Sequence, residues 1–163
     1  MKPFKKHKVE YLSPSMINQF VDCPALTMLK IMGIQDGEAG PSAWRGIAVE
    51  KSLTNLAYKP DLEIGDLFEN ADNVFTDLND KAEETHSTEK IIKEKNDMPS
   101  FIKSAYSFYK NLGIPEDSQK RIELWTEDFD IPIIGYYDLL YKDSVRDIKT
   151  GNARSSVMSG HAR

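Results

Sequence analysis

The chain has 163 residues, 40% of them hydrophobic, which is enough for one domain with a buried core and too apolar for a disordered chain. No apolar run approaches the ~20 residues that span a bilayer, and the basic start M-K-P-F-K-K-H-K leads into no apolar signal stretch. The single cysteine, Cys23, excludes an internal disulfide and a Cys-only metal site, so the chain reads as a reduced cytoplasmic protein with no membrane partner. The net charge of −5 speaks against a polyanion ligand only as a total. Asp61 to Asp97 holds twelve acidic residues against four lysines, which leaves the rest of the chain net positive, and local field steers a polyanion more than total charge does.

In chain order, L-S-P-S-M-I-N-Q-F-V-D-C-P opens with a helix start, Ser13 as N-cap and Pro14 at the first helical position. Met16, Ile17 and Phe20 recur at helical spacing, Pro24 punctuates, and a second apolar piece, A-L-T-M-L-K-I-M, stops at Gly33. The stretch Q-D-G-E-A-G-P-S is a loop. W-R-G-I-A-V-E-K-S-L-T-N-L-A-Y predicts a helix with Ile47, Leu53 and Leu56 among its apolar positions. The acidic stretch at about 60–97 is weakly periodic and predicts a solvent-facing helical insert in an otherwise single domain. P-S-F-I-K-S-A-Y-S-F-Y-K-N-L-G is strongly helical and ends on Gly113.

After Pro115 the texture changes to strands. R-I-E-L-W-T-E-D-F alternates as a half-buried strand does. I-P-I-I-G-Y-Y-D-L-L-Y is almost continuously apolar and predicts a strand covered on both faces. V-R-D-I-K-T-G is a third, shorter strand, and S-S-V-M-S-G-H-A-R begins another helix.

Asp138 interrupts the apolar second strand, where an uncompensated carboxylate is costly. In the third strand Asp147 and Lys149 share one face and Ile148 takes the other. Asp138 lies opposite Asp147 when the loop has two residues (Lys142, Asp143) or four (Tyr141 to Ser144); an odd loop sets it opposite Ile148 unless a bulge corrects the register. Two apposed carboxylates stay ionised together only around a cation, and Mg²⁺ takes one or two carboxylates, waters and a substrate phosphate. Lys149 can orient the attacking water or offset charge on a phosphoryl transition state. This describes metal-assisted phosphodiester hydrolysis. D-x-K also occurs as the charged decoration of an edge strand.

G-Y-Y-D, then D-I-K-T-G after eight intervening residues, resembles motifs II and III of the PD-(D/E)XK nuclease superfamily in its RecB-like branch. L-S-P-S-M-I-N-Q-F-V-D-C-P resembles the branch's N-terminal helix motif, and R-G-I-A-V-E resembles its G-x-x-x-H helix, with Glu50 where many members have His. R-I-E-L-W-T-E-D-F-D-I-P-I-I-G resembles the strand pair leading into motif II.

The resemblance implies an α/β (α+β) restriction-endonuclease-like core, a central mixed β-sheet flanked by helices, whose C-terminal helix and last strand are cut short here. It implies a metal-dependent DNA nuclease of exonuclease type, in recombination, repair or phage DNA processing. Asp138, Asp147 and Lys149 are then catalytic; Glu50, Asp138, Asp147 and the Ile148 carbonyl hold Mg²⁺ or Mn²⁺. Relatives with an iron–sulfur cluster carry four cysteines, so the lone Cys23 implies no cluster and a small buried core thiol. Arg45 and Arg154 are the candidate DNA contacts, with Lys2, Lys5, Lys6, Lys8, Arg146 and Arg163 also basic. Trp44, Tyr136 and Tyr137 are either base-stacking or core residues, and His161 is solvated. The short end implies an oligomer or a partner chain completing the fold. The alternative is a non-catalytic DNA-binding or assembly module on the same fold.

Overall fold

The structure is a computed structural model, and it describes residues 7–34 and 39–150. The described chain falls into two compact units, each built from separate segments. One comprises residues 7–34 and 119–137, the other residues 39–118 and 138–150.

In the first unit, α1 (Pro14–Asp22) is capped by Ser13, whose Oγ accepts from Met16 N at 3.1 Å, with Pro14 in the first turn. Cys23 takes an extended backbone (φ −153°, ψ 90°) that ends α1 and opens α2 (Pro24–Ile31). Cys23 is therefore exposed, which corrects the expectation of a core thiol: the residue is spent on a chain break between two helices and packs into neither. Leu12 bridges Ile133 in parallel, with Leu12 N donating to Pro132 O at 2.9 Å and Ile134 N to Leu12 O at 2.8 Å.

The strands are β1 (Asp117–Leu124), β2 (Ile133–Tyr141) and β3 (Ser144–Arg146), in sheet order β1-β2-β3. The three-stranded sheet is antiparallel rather than mixed, and the parallel bridge at Leu12 lies outside its strands. The alternation in β1 does not mark a buried face, since Ile122 and Leu124 are 52% and 56% exposed. Period-two patterning requires only a pleated strand; burial requires a second layer over it. β2 is covered on both faces only in part: Ile134 and Leu139, on opposite faces, are buried, but Tyr136, on the face of Ile134, is exposed.

The core of the second unit lies among α3 (Pro41–Tyr58), α4 (Ile64–Lys81) and α5 (Thr88–Lys110). Trp44, Leu53, Leu56, Leu67, Phe75, Met98 and Ile102 fill it, and Leu139 and Ile148 join it from the hairpin. α4 opens with a capping box, Glu63 N donating to the Asp66 carboxylate at 2.9 Å. Along it Leu67, Ala71 and Phe75 recur every fourth residue and are buried. The acidic stretch is thus helical as its weak periodicity predicts, but it is not merely solvent-facing. All of its acids except Glu94 and Asp97 are exposed, while the opposite stripe is core.

α5 is longer than the pattern after Pro99 suggests. It starts at Thr88, with the Ser87 side chain accepting from Lys90 N, and runs through Pro99. Pro99 lacks the N–H that would bond the turn before it. Met98 and Ile102, both buried, hold the helix in register on either side.

Candidate metal centre at the hairpin

The register pairs Leu139 with Arg146, Leu140 with Val145 and Tyr141 with Ser144, so the loop is the two residues Lys142 and Asp143. Continued one step, the same register sets Asp138 opposite Asp147. An even loop is the condition the pair needs, and the hairpin meets it.

β3 ends at Arg146, so residues 147–150 lie beyond the ladder. Side chains hold them. Asp138 Oδ2 accepts from Ile148 N at 2.5 Å, and the Ile148 side chain is buried in the core. Asp147 and Lys149, on either side of it, are exposed, the alternation an extended segment gives. Lys149 Nζ donates to Asp147 Oδ1 at 2.8 Å.

Asp138 is half-buried, and burial raises its carboxyl above the ordinary value. The N–H of Ile148 opposes the shift. The Asp147 carboxyl adds to it as a hydrogen-bond partner and by its charge, and Lys149 counters it. The register and the Ile148 bond thus place the Asp138 carboxyl on the side of the hairpin that carries Asp147 and Lys149.

Two tyrosines near this pair carry no signal in the sequence. Tyr109, buried near the end of α5, has its phenol pushed up to about 12, by burial first and then by Tyr141, Asp138 and Asp147. Burial also raises Tyr141, whose hydroxyl is buried without a hydrogen-bond partner among the described residues. Both sit at positions that periodicity assigns simply to core.

The remaining candidates divide. Glu50 is half-buried on α3, one helical turn beyond Gly46 and on the same side. Among the described residues no three His, Cys, Asp or Glu side chains gather as one ion's ligands. Arg45 does not face solvent, where a phosphate contact would need it. It is buried in an ion pair with Glu94, and it donates from its second nitrogen to Thr150 O at 2.9 Å. Its charge is already answered inside the fold, which corrects its assignment to DNA. Arg154 and His161 lie outside the described residues. Trp44 packs edge-on against Phe75 (5.9 Å) and His86 (5.1 Å) as a core residue, whereas Tyr136 is exposed. No helix among the described residues is long and apolar enough to cross a membrane.

The aspartate pair fits a hard divalent cation. Its oxygens are the donors such an ion prefers, and an ion between them would relieve the repulsion and desolvation that raise Asp138. An α+β core thus carries two carboxylates and a lysine together at the end of a hairpin. The chain matches the family model of the PD-(D/E)XK nuclease superfamily over residues 11–162 and belongs to that superfamily. Membership makes it a nuclease of a class that works with divalent metals. No curated protein and no solved structure matches it.

Proposed function

We propose that the protein is an Mg²⁺- or Mn²⁺-dependent deoxyribonuclease of the RecB-like branch. It acts as an exonuclease on DNA ends in recombination, repair or phage DNA processing, in the cytoplasm, where its lone thiol stays reduced. The observation that supports the reading is the hairpin register that sets Asp138 opposite Asp147, with Lys149 bonded to Asp147.

Asp138, Asp147 and the Ile148 carbonyl would hold the cation, with Glu50 supplying a further carboxylate from α3. A bound divalent cation supplies Lewis acidity toward the phosphoryl oxygens and acidifies the attacking water. Asp147 keeps the Lys149 ammonium at the pair through their 2.8 Å bond. From there Lys149 can orient the water by donating to it, and can offset negative charge as the phosphodiester passes its transition state.

The test is digestion of end-labelled linear DNA and of circular DNA with Mg²⁺ and with Mn²⁺. Linear DNA is expected to be degraded from its ends, circular DNA spared and chelation to stop the reaction. No cleavage of any DNA with either ion contradicts the reading.

One observation favours a second reading, a non-catalytic DNA-binding or assembly module: Glu50 does not join the two aspartates in a three-carboxylate cluster among the described residues. It predicts DNA binding that weakens with salt and no cleavage under any cation.

A further inference from the structure

We propose that Arg45 is a positioning residue that fixes the D-I-K-T segment, and with it Lys149, against α3. The proposal rests on the nuclease reading for its kinetic test but has a structural test of its own.

Residues 147–150 hold the reacting side chains yet lie past the end of β3, so no strand ladder sets their place. Lys149 is poorly held by its own side chain, which is 68% exposed and makes its ion pair with the equally accessible Asp147. Its position must come from the backbone on either side. On the N-terminal side the anchor is the Ile148 N–H on Asp138. On the C-terminal side it is the carbonyl of Thr150, the residue next to Lys149, which accepts from Arg45 at 2.9 Å.

That second anchor is rigid. The Arg45 side chain is 9% exposed, and its other terminal nitrogen pairs with Glu94 of α5. The opposite oxygen of Glu94 accepts from Ser42 Oγ at 3.0 Å, and the guanidinium lies 4.7 Å over the ring of Phe101. A salt bridge, a carbonyl and an aromatic face thus fix the orientation of one planar group. Burying such a pair costs desolvation that packed apolar side chains would avoid; here Nη2 reaches the segment, while Nε is buried without a hydrogen-bond partner among the described residues.

A second contact makes the same attachment. A Cβ on Gly46 would sit 3.3 Å from Thr150 Oγ1, so Thr150 lies directly against the α3 backbone, at the position next to Arg45. Glycine at 46 permits that approach.

Arg45→Lys separates this role from others. It keeps a cation for Glu94, but one ammonium lacks the planar fork that serves Glu94 and the Thr150 carbonyl together. With saturating DNA and Mg²⁺, kcat is expected to fall about 10- to 100-fold, because a misplaced group costs rate even when binding is intact. KM for DNA and its salt dependence should stay as in the wild type. Amide exchange of Ile148 and Lys149, measured without DNA, should accelerate.

Wild-type kcat together with wild-type exchange overturns the proposal. A raised KM with a changed salt slope also overturns it, since that is the behaviour of a phosphate contact. Should the wild type cleave nothing, the nuclease reading fails and the exchange measurement alone decides: unchanged protection at 147–150 refutes the attachment, and faster exchange upholds it. Should Arg45→Lys not fold, Gly46→Ala leaves the ion pair whole and favours the helix. A lower kcat or faster exchange there, with melting unchanged, supports the attachment to α3, and wild-type values of both overturn it.

Discussion

Lys149→Ala is expected to lower the rate of DNA cleavage about 10²- to 10³-fold, the range seen when one group that stabilises transition-state charge is removed. Its thermal melting should be nearly unchanged. The two outcomes come from the same geometry. The Nζ of Lys149 meets Asp147 Oδ1 at 2.8 Å, but both side chains are more than half exposed. An ion pair of that kind contributes no more than ~1 kcal/mol to stability. In the proposed mechanism, chemistry at the hairpin instead depends on a cation held beside two carboxylates, one of them already destabilised by burial. Single-turnover rates and melting curves on the same preparation check both halves. Cleavage within about threefold of the wild type would remove Lys149 from the reaction, since the loss of an effective catalytic group costs far more than that.

Phe75→Ala should destabilise the fold by about 3–5 kcal/mol, a large part of the ~5–15 kcal/mol that holds a domain together. Phe75 is 1% exposed, packs edge-on against Trp44 and shares its buried stripe on α4 with Leu67 and Ala71. It stands in the most acidic part of the sequence, so the substitution asks whether that region is core or attachment. Urea unfolding followed by circular dichroism measures it. Glu69→Gln, on the exposed face of the same helix, should stay within about 0.5 kcal/mol of the wild type. A loss under about 1 kcal/mol for Phe75→Ala would make α4 peripheral, since surface positions rarely exceed that.

The hairpin was the most legible part of the chain. The choice of a two-residue loop over a four-residue or odd one came only with the register, whereas side-chain alternation and one polar residue in an apolar strand are local properties that folding keeps. Ser13 and Pro14 announced α1 for the same reason. Layering was less legible, because it depends on what covers a strand or helix: β1 alternates without being buried, and α4 is core behind an acidic face. Arg45 shows the limit most clearly. Nothing in R-G-I-A-V-E distinguishes an arginine aimed at phosphate from one turned inward to Glu94, 49 residues away. Tyr109 was equally silent, since its relation to Asp138 and Asp147 exists only once α5 meets the hairpin.

The central claim is that Asp138 and Asp147 form one cation site across two strands. Calorimetric titration of Mg²⁺ and Mn²⁺ into the wild type and into Asp138→Asn tests it most directly, in two buffers of different ionisation enthalpy. Because burial raises the Asp138 carboxyl while a cation favours its ionised form, the account predicts one saturable site in the wild type, with the same affinity for the ion in both buffers at one pH and weaker binding as pH falls. The site should disappear in Asp138→Asn. Equal binding by the variant, or no binding by the wild type, would contradict it.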